Sequence, residues 1–336
     1  MAPPARSVSQ GGIPVVVLGL GEIGLAIARA ALARPDLKLV AAVDPEPSKV
    51  GRPLSTLLGE PAGEVGVART LEEVAPLAKG GVVLQATRSR FEEVLPDLQA
   101  AARAGLHVVS TCEELAWPWL EHADSAAALD RLCHDQNVAV LGTGVNPGFV
   151  LDRLPATLAQ VTGPVRHLHG VRVVDVSRRR RALQLKVGAG LGERAFHDAV
   201  ERGAVGHVGL AESAAMAAEA CCGLDEYEID EEIAPLLAED DWEGPVRVEK
   251  GSVAGLHHEA RVFAEGREVV RLELTIAVAA ADPRDEVVLD ADPPVHVIVP
   301  GGIAGEAATV HAVVNAVPAL VELRGLVSVL DLPAGR

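Results

Sequence analysis

Gly19-Leu20-Gly21-Glu22-Ile23-Gly24 decides the reading of this chain. The six residues have the spacing GxGxxG and follow directly on an apolar run, Pro14-Val15-Val16-Val17-Leu18, that reads as a buried strand. An Ala-rich stretch of helical periodicity, Ile23–Arg34, comes next, and Asp44 closes the following apolar run, 20 positions past Gly24. Alone, a GxGxxG match is weak; between a strand and a helix, with an acid at that distance, it is strong. Gly19 permits the tight turn, Gly21 lets the main chain approach a pyrophosphate, and Gly24 lets the helix pack on the strand. The first-turn N–H groups of Glu22, Ile23 and Gly24 then face the phosphate charge. Asp44 is placed to accept hydrogen bonds from an adenosine ribose, which favours NAD(H). NADP(H) is the second candidate, where Lys49 or Arg52 offsets that carboxylate.

Outward from this turn, the apolar runs Val15–Leu18, Leu39–Val43, Val82–Gln85, His107–Ser110 and Val138–Leu141 alternate with amphipathic stretches. The latter are Ile23–Arg34, Phe91–Ala104 and Leu115–Asp135. Short strands alternating with helices imply a parallel sheet covered on both faces, an α/β doubly wound (Rossmann) domain. The pattern changes after Gly142–Gly148. Residues 165–176, 246–254, 258–264 and 268–278 alternate as strands, with hairpin breaks expected at Gly255 and Glu265-Gly266, and helices are expected at 192–202 and 209–222. These make a second, α+β domain of antiparallel strands. Gly305–Leu323 is helical again and is expected to rejoin the first domain. The expected organisation is 1–145 plus 302–336 for dinucleotide binding and 146–301 for substrate and dimer contacts, after a flexible leader at Met1–Gly12.

Composition narrows the function. A chain of 336 residues, 49% hydrophobic and 23% charged, has the make-up of a globular protein of two domains or one large one. Its net charge of −17 disfavours nucleic acid and anionic membrane surfaces as partners, and the basic run Arg178–Arg181 is too short to reverse it. Aromatic residues at 2% disfavour a base-stacking platform. Cys112, Cys133, Cys221 and Cys222 form no disulfide framework, and no apolar run reaches the ~18 residues of a membrane span. The expected location is therefore the cytoplasm. No zinc-type ligand spacing and no GxSxG motif occur, so neither a metal site nor a serine hydrolase is expected.

The later strand ends carry Ala86-Thr87-Arg88-Ser89, Ser110-Thr111-Cys112-Glu113-Glu114 and Gly142-Thr143-Gly144-Val145-Asn146-Pro147-Gly148-Phe149. A nicotinamide at the ends of the parallel strands faces these loops, which makes Thr87, Arg88, Cys112 and Asn146 candidates for holding it. Three more segments bear on identity: Lys186-Val187-Gly188-Ala189-Gly190, Gly206-His207-Val208-Gly209-Leu210 and Gly301-Gly302-Ile303-Ala304-Gly305-Glu306-Ala307-Ala308-Thr309. In this order, over nearly the whole chain, the motifs resemble the 2,4-diaminopentanoate dehydrogenases and native amine dehydrogenases, a group also described as dihydrodipicolinate reductase-like. True dihydrodipicolinate reductases carry a His-His pair followed by Lys ahead of a DAPSGTA-like loop. Here His257-His258 runs into Glu259-Ala260-Arg261-Val262, a strand pattern, and the narrower label is rejected.

The resemblance implies NAD(P)-dependent oxidative deamination of a small amine or diamino acid, and the reverse amination of a ketone with ammonia. It also implies a glutamate near the nicotinamide as acid–base group, which points to Glu113 and Glu114. Sugar oxidoreductases of similar architecture place a catalytic Lys just after a Glu at this strand end, so Glu114 is the first choice. A carboxylate there moves a proton and stabilises a cationic iminium. The competing reading is a helix-capping carboxylate. Substrate candidates are Asn146, His207, His258, Thr309 and Arg178, each with a structural alternative as a turn, core or surface residue. A homodimer paired through the strand-rich domain is expected. The rival functions are a non-catalytic NAD(P) sensor and a dehydrogenase or imine reductase that uses no free ammonia.

Overall fold

The computed structural model describes residues 12–335, so all but the last residue of the Met1–Gly12 leader lies outside the described residues. The elements begin with β1 (Ile13–Leu18), α1 (Glu22–Leu32), β2 (Leu37–Val43), α2 (Leu54–Leu58), β3 (Val67–Ala68) and β4 (Val82–Gln85). They continue with α3 (Phe91–Arg103), β5 (His107–Ser110), α4 (Ala123–Gln136) and β6 (Ala139–Gly142). Then follow α5 (Arg153–Ala159), β7 (His167–Asp175), α6 (Arg181–Lys186), α7 (Glu193–Glu201) and α8 (Leu210–Cys222). The strands β8 (Glu228–Leu237), β9 (Val253–Ala264), β10 (Arg267–Ala277), β11 (Arg284–Asp290) and β12 (Val295–Pro300) come next, before α9 (Gly305–Leu320) and β13 (Gly325–Val327). The chain divides into two units, Met1–Val145 with Gly305–Arg336, and Asn146–Ala304.

The first unit is built on a 7-stranded sheet in the order β13-β6-β5-β4-β1-β2-β3, with every pair parallel. The order reverses between β1 and β4, which opens the crevice where such sheets take ligands. Val16, Val43, Val83, Val108 and Val140 of the central strands pack with Phe91, Val94 and Leu98 of α3 and Leu129 and Cys133 of α4 in one core. α1 buries Gly24, Ile27, Ala28 and Ala31, one stripe at helical spacing, and packs beside α9. α9 thus completes the first unit, with the division falling at Ala304/Gly305.

The second unit holds a 6-stranded sheet in the order β12-β11-β7-β10-β9-β8. It corrects the expectation of antiparallel strands throughout, because β7 and β10 run parallel inside an otherwise antiparallel sheet. α8 lies over β9 and β10, and its Ala214, Ala215, Ala217 and Ala218 are small enough to bring the helix close to the strands. The β9–β10 hairpin turns at Glu265-Gly266, both at positive φ (50° and 72°) as a tight two-residue turn requires. Gly255 does not break the chain: it lies inside β9, where an added Cβ would sit 2.1 Å from the Ile276 carbonyl oxygen. Residues 246–254 are not one strand either, since a turn closed by Ser252 N–H to Glu249 O separates Val248 from β9. Likewise the helix expected over Leu115–Asp135 starts only at Ala123. Trp117 precedes Pro118, which drives its backbone out of the helical region (φ −149°, ψ 65°).

Candidate functional site

Four main-chain hydrogen bonds line up the exits of neighbouring strands in the first unit. Gly19 N–H donates to Val43 O (2.9 Å), Ala86 N–H to Leu18 O (2.8 Å), Thr111 N–H to Gln85 O (3.0 Å) and Thr143 N–H to Ser110 O (2.9 Å). The GxGxxG turn and the loops at Ala86, Thr111 and Thr143 therefore leave side by side from the carboxyl edge of the sheet.

The turn fits a dinucleotide. Gly19 has φ 90°, and a Cβ there would lie 2.5 Å from Ala86 O and 2.8 Å from Thr87 Cγ2. A Cβ on Gly24 would lie 1.7 Å from Gly19 O, so only glycine lets α1 start this close to β1. Gly21 is exposed and an added Cβ meets nothing within 4 Å, which leaves the open side of the turn free for a phosphate. Glu22 and Ile23 open the helix, with Glu22 exposed in its first turn.

Asp44, only 6% exposed, directly follows β2. Its Oδ2 accepts from Leu20 N–H (2.8 Å) and from Lys49 Nζ (2.7 Å), and its Oδ1 from Glu46 N–H (2.9 Å). Burial on its own raises this carboxyl, but the Lys49 ammonium and the two N–H donors outweigh it and hold the pKa below the usual Asp value.

On the next strand ends, Thr87 and Arg88 are exposed. Cys112 is buried, with its thiol donating to Ser89 O (3.2 Å) and its N–H to Ser110 Oγ (3.0 Å); burial pushes its pKa up to about 12. It is an inert packing group whose main chain, not its sulfur, lines the loop. Glu113 is half-buried, and Glu114, 8% exposed, does not face bulk water. Glu114 Oε1 pairs with Arg90 (2.5 Å), while Oε2 accepts the Phe91 N–H (2.6 Å) and lies 3.4 Å from His122 Nε2. Phe91 is the first residue of α3, so Glu114 anchors the helix before it, not the one after it. Thr309, the fifth residue of α9, uses its hydroxyl to accept the Val145 N–H (3.3 Å).

The second unit gathers a polar set. Asn146 is 8% exposed, and both its side-chain oxygen and nitrogen are shut from solvent without a partner. His207 bonds to the main chain of Asn146, while its Nδ1 is buried and unpartnered. Burial first, then the nearby His258, Lys186 and Arg172, pushes its pKa down to about 3, so the ring is neutral at pH 7. His258 Nε2 meets Glu231 Oε1 at 2.8 Å, and its Nδ1 is also buried without a partner. Buried polar atoms left unpaired are rare and costly, and several together mark a place where a polar ligand belongs. The structure thus brings Asn146, His207 and His258 together, whereas Arg178 is exposed in the turn after β7.

Sequence reasoning missed Arg172. It is 4% exposed, donates to Asp285 Oδ1 (2.6 Å) and Ile303 O (2.8 Å), and sits near His207. The available signal was its place on the inward face of β7 with Leu168 and Gly170, an arginine where the alternation calls for an apolar residue. Asp152 was missed as well. Fully buried, it accepts from Gly148 N–H, Arg153 N–H and Ser213 Oγ and so fixes the loop after Asn146.

Comparison with known proteins shows the family to which the chain belongs. A family model for the 2,4-diaminopentanoate dehydrogenase C-terminal domain matches residues 149–336, more than half of the chain. The chain is 27% identical over 340 residues to 2,4-diaminopentanoate dehydrogenase of Acetoanaerobium sticklandii, covering 96% of this chain and 94% of that protein. It is 28% identical over 188 residues to an amine dehydrogenase of Streptomyces virginiae, 54% of this chain and 51% of the other. Among solved structures, the amine dehydrogenase from Mycobacterium smegmatis has a TM-score of 0.82 at 22% identity, covering 96% of this chain and 97% of that one. The scyllo-inositol dehydrogenase from Lactobacillus casei reaches 0.56 at 15% identity, over 93% and 88% of the two chains. These structures share the dehydrogenase fold, and on the family match the chain belongs to the 2,4-diaminopentanoate dehydrogenase C-terminal domain family.

Proposed function

We propose that this protein is an NAD(P)-dependent amine dehydrogenase. It oxidatively deaminates a small amine or diamino acid and, in reverse, aminates a ketone with ammonia. The relatives' names support the reaction class, with the Acetoanaerobium sticklandii enzyme matched along nearly its full length. The observation that carries the reading is the pairing of a GxGxxG turn with Glu113-Glu114 on strand exits two places along the same sheet edge.

Gly19, Gly21, Glu22, Ile23, Gly24 and Asp44 hold the adenosine and pyrophosphate half of the dinucleotide, and Thr87, Arg88, the Cys112 main chain and Asn146 its nicotinamide half. When bound, the nicotinamide supplies the hydride acceptor or donor for the amine-bearing carbon. The chain's own part is proton handling. Glu114 takes a proton from the substrate nitrogen in deamination and returns it in amination, with Glu113 as the adjacent second carboxylate. Three donors already reach its oxygens, and a carboxylate offers about four lone-pair sites, so one stays available. Arg90 and the Phe91 N–H fix the rotamer of the carboxylate before the substrate arrives.

Asn146, His207 and His258 serve the polar or acidic end of the substrate, because their unpartnered atoms need a ligand that hydrogen-bonds, and the Arg172 guanidinium lies near His207. Thr309 and Arg178 remain candidates for substrate contact. A homodimer paired through the strand-rich second unit belongs to the same proposal. The four cysteines are free, which suits work in the reducing cytoplasm, and among the described residues no helix is long and apolar enough to cross a membrane.

The test follows reduced-dinucleotide absorbance with ammonia and a panel of small ketones and 4-oxo acids. Ammonia-dependent oxidation supports the proposal. Turnover that persists without ammonia indicates an alcohol dehydrogenase or imine reductase, and tight binding without any turnover indicates a sensor.

A further inference from the structure

The Glu114 carboxylate has an imidazole on its outer side. His122 Nε2 lies 3.4 Å from Glu114 Oε2, and the other ring nitrogen, Nδ1, lies 3.6 Å from Glu92 Oε1. Side-chain exposure rises along this row, from 10% at Glu114 to 24% at His122 and 54% at Glu92. A shielded carboxylate, an imidazole and an exposed carboxylate therefore lead from the candidate acid–base group to water.

Local sequence accounts for the placement. His122 directly precedes α4: its N–H donates to Pro118 O (2.8 Å), and its carbonyl oxygen accepts the Ala126 N–H (2.8 Å). Residues favoured at such a helix start are Ser, Thr, Asp and Asn, whose side chains bond the first free N–H groups. The His122 side chain makes no such bond. Its ring turns instead to α3, packing on Phe91 with 5.3 Å between ring centroids, and Glu92 follows in the first turn of that helix. Arg90 and the Phe91 N–H hold the Glu114 carboxylate from other directions (2.5 and 2.6 Å), so both sides of the His122–Glu114 contact are fixed. Of the three groups on that carboxylate, only the imidazole exchanges protons near neutral pH, and it has a nitrogen at each end. The Arg90 guanidinium stays protonated, and a main-chain N–H keeps its proton.

We propose that His122 is the proton relay between Glu114 and solvent. This rests on the acid–base reading of Glu114. Amination needs such a route: ketone, ammonia, reduced dinucleotide and one proton become amine, water and oxidised dinucleotide. That proton comes from solvent, and Glu114 does not face bulk water. In the relay the His122 Nε2–H bond breaks as an O–H bond forms on Glu114 Oε2, and Nδ1 takes up a proton from water beside Glu92. The ring is neutral before and after, and exchange with water restores its starting tautomer. Deamination runs these steps in reverse and exports the proton. The 3.4 Å contact is long for a transfer, and catalytic hydrogen bonds commonly tighten only when substrate is bound. His122 thus acts through Glu114 and not on the substrate itself.

The test measures steady-state amination of a 4-oxo acid by the full chain in wild type, His122→Gln and His122→Ala. Glutamine keeps a donor toward Glu114 but passes no proton through itself, and alanine leaves space for free imidazole. Thermal unfolding checks that each variant folds. The expected result is a kcat about tenfold or more lower in both variants, with KM for the ketone changed less than about threefold. Added imidazole should restore kcat in His122→Ala in proportion to its concentration and leave wild type unchanged. Without substrate or dinucleotide, 15N spectra of the histidine rings should show the His122 signals, identified by their loss in His122→Gln, displaced in Glu114→Gln. Wild-type kcat in a folded His122→Gln overturns the relay. A fall that imidazole does not relieve also overturns it and leaves His122 as packing for Phe91. Undisplaced His122 signals in Glu114→Gln remove the contact it needs. If wild type shows no turnover, or Glu114→Gln is fully active, the acid–base reading itself fails, and the relay with it.

Discussion

At Glu114 three donors converge on two carboxylate oxygens, and that geometry ties a catalytic assignment to a structural one. Glu114→Ala leaves the Phe91 N–H buried and unsatisfied, which costs about 1–3 kcal/mol of stability. Glu114→Gln keeps an acceptor for that N–H and should stay folded while turnover falls about 100-fold or more, with dinucleotide affinity nearly unchanged. Calorimetry of binding beside steady-state rates separates these effects. Glu113→Gln is the partner experiment: if it abolishes turnover while Glu114→Gln retains it, the acid–base role moves to Glu113. His207 gives a second prediction at this scale. Its pKa is about 3 and that of His107, lowered mainly by burial, about 4, against about 6.5 in an unfolded chain. Below pH 6.5 the unfolded state takes up protons that the folded state refuses. The stability these neutral rings contribute is therefore complete above pH 6.5 and is lost as pH falls toward 4 and 3, by up to about 1.4 kcal/mol per pH unit for each ring. Urea unfolding at pH 7.5, 6.5 and 5.5 should show the decline, and His207→Gln should make it shallower.

Among the elements, the contact of α1 with β1 is the most exacting, because Gly24 leaves no room for a Cβ against Gly19 O. Gly24→Ala should cost about 1–3 kcal/mol and weaken dinucleotide binding, read by thermal unfolding and calorimetry. β7 and β11 are tied by the buried Arg172–Asp285 pair, which also holds Ile303. Asp285→Ala strands the guanidinium and should cost about 3–5 kcal/mol in equilibrium unfolding, far more than loss of the exposed Arg261–Asp230 pair. These two elements also show what the sequence made legible. β1, α1, α3, β5 and α9 could be read because apolar periodicity and glycine spacing are local signals. β8, whose Glu228-Ile229-Asp230-Glu231-Glu232-Ile233 reads as acidic surface, could not, since its strand form depends on pairing with β9. β11 and β12 were hidden in the same way, and Arg172 because its partner lies 113 positions away. The site divides similarly. The glycine turn, Asp44 and the Glu113-Glu114 pair sit within short motifs, whereas the gathering of His207 and His258 around Asn146 is a product of the tertiary fold.

For the whole molecule, the net charge of −17 sets a condition on any anionic ligand: local groups must overcome the general field. Helix and turn N–H groups at Gly21–Gly24 and the cations Lys49, Arg52 and Arg172 do so only where they are concentrated. Family membership sets the reaction class to be tested. The most direct measurement follows loss of reduced-nicotinamide absorbance by the full chain with a 4-oxo acid, with and without ammonia, for wild type and Glu114→Gln. The account predicts turnover by wild type only when ketone and ammonia are both present, and its loss in Glu114→Gln despite intact dinucleotide binding. Ammonia-independent turnover, or full activity in Glu114→Gln, contradicts it.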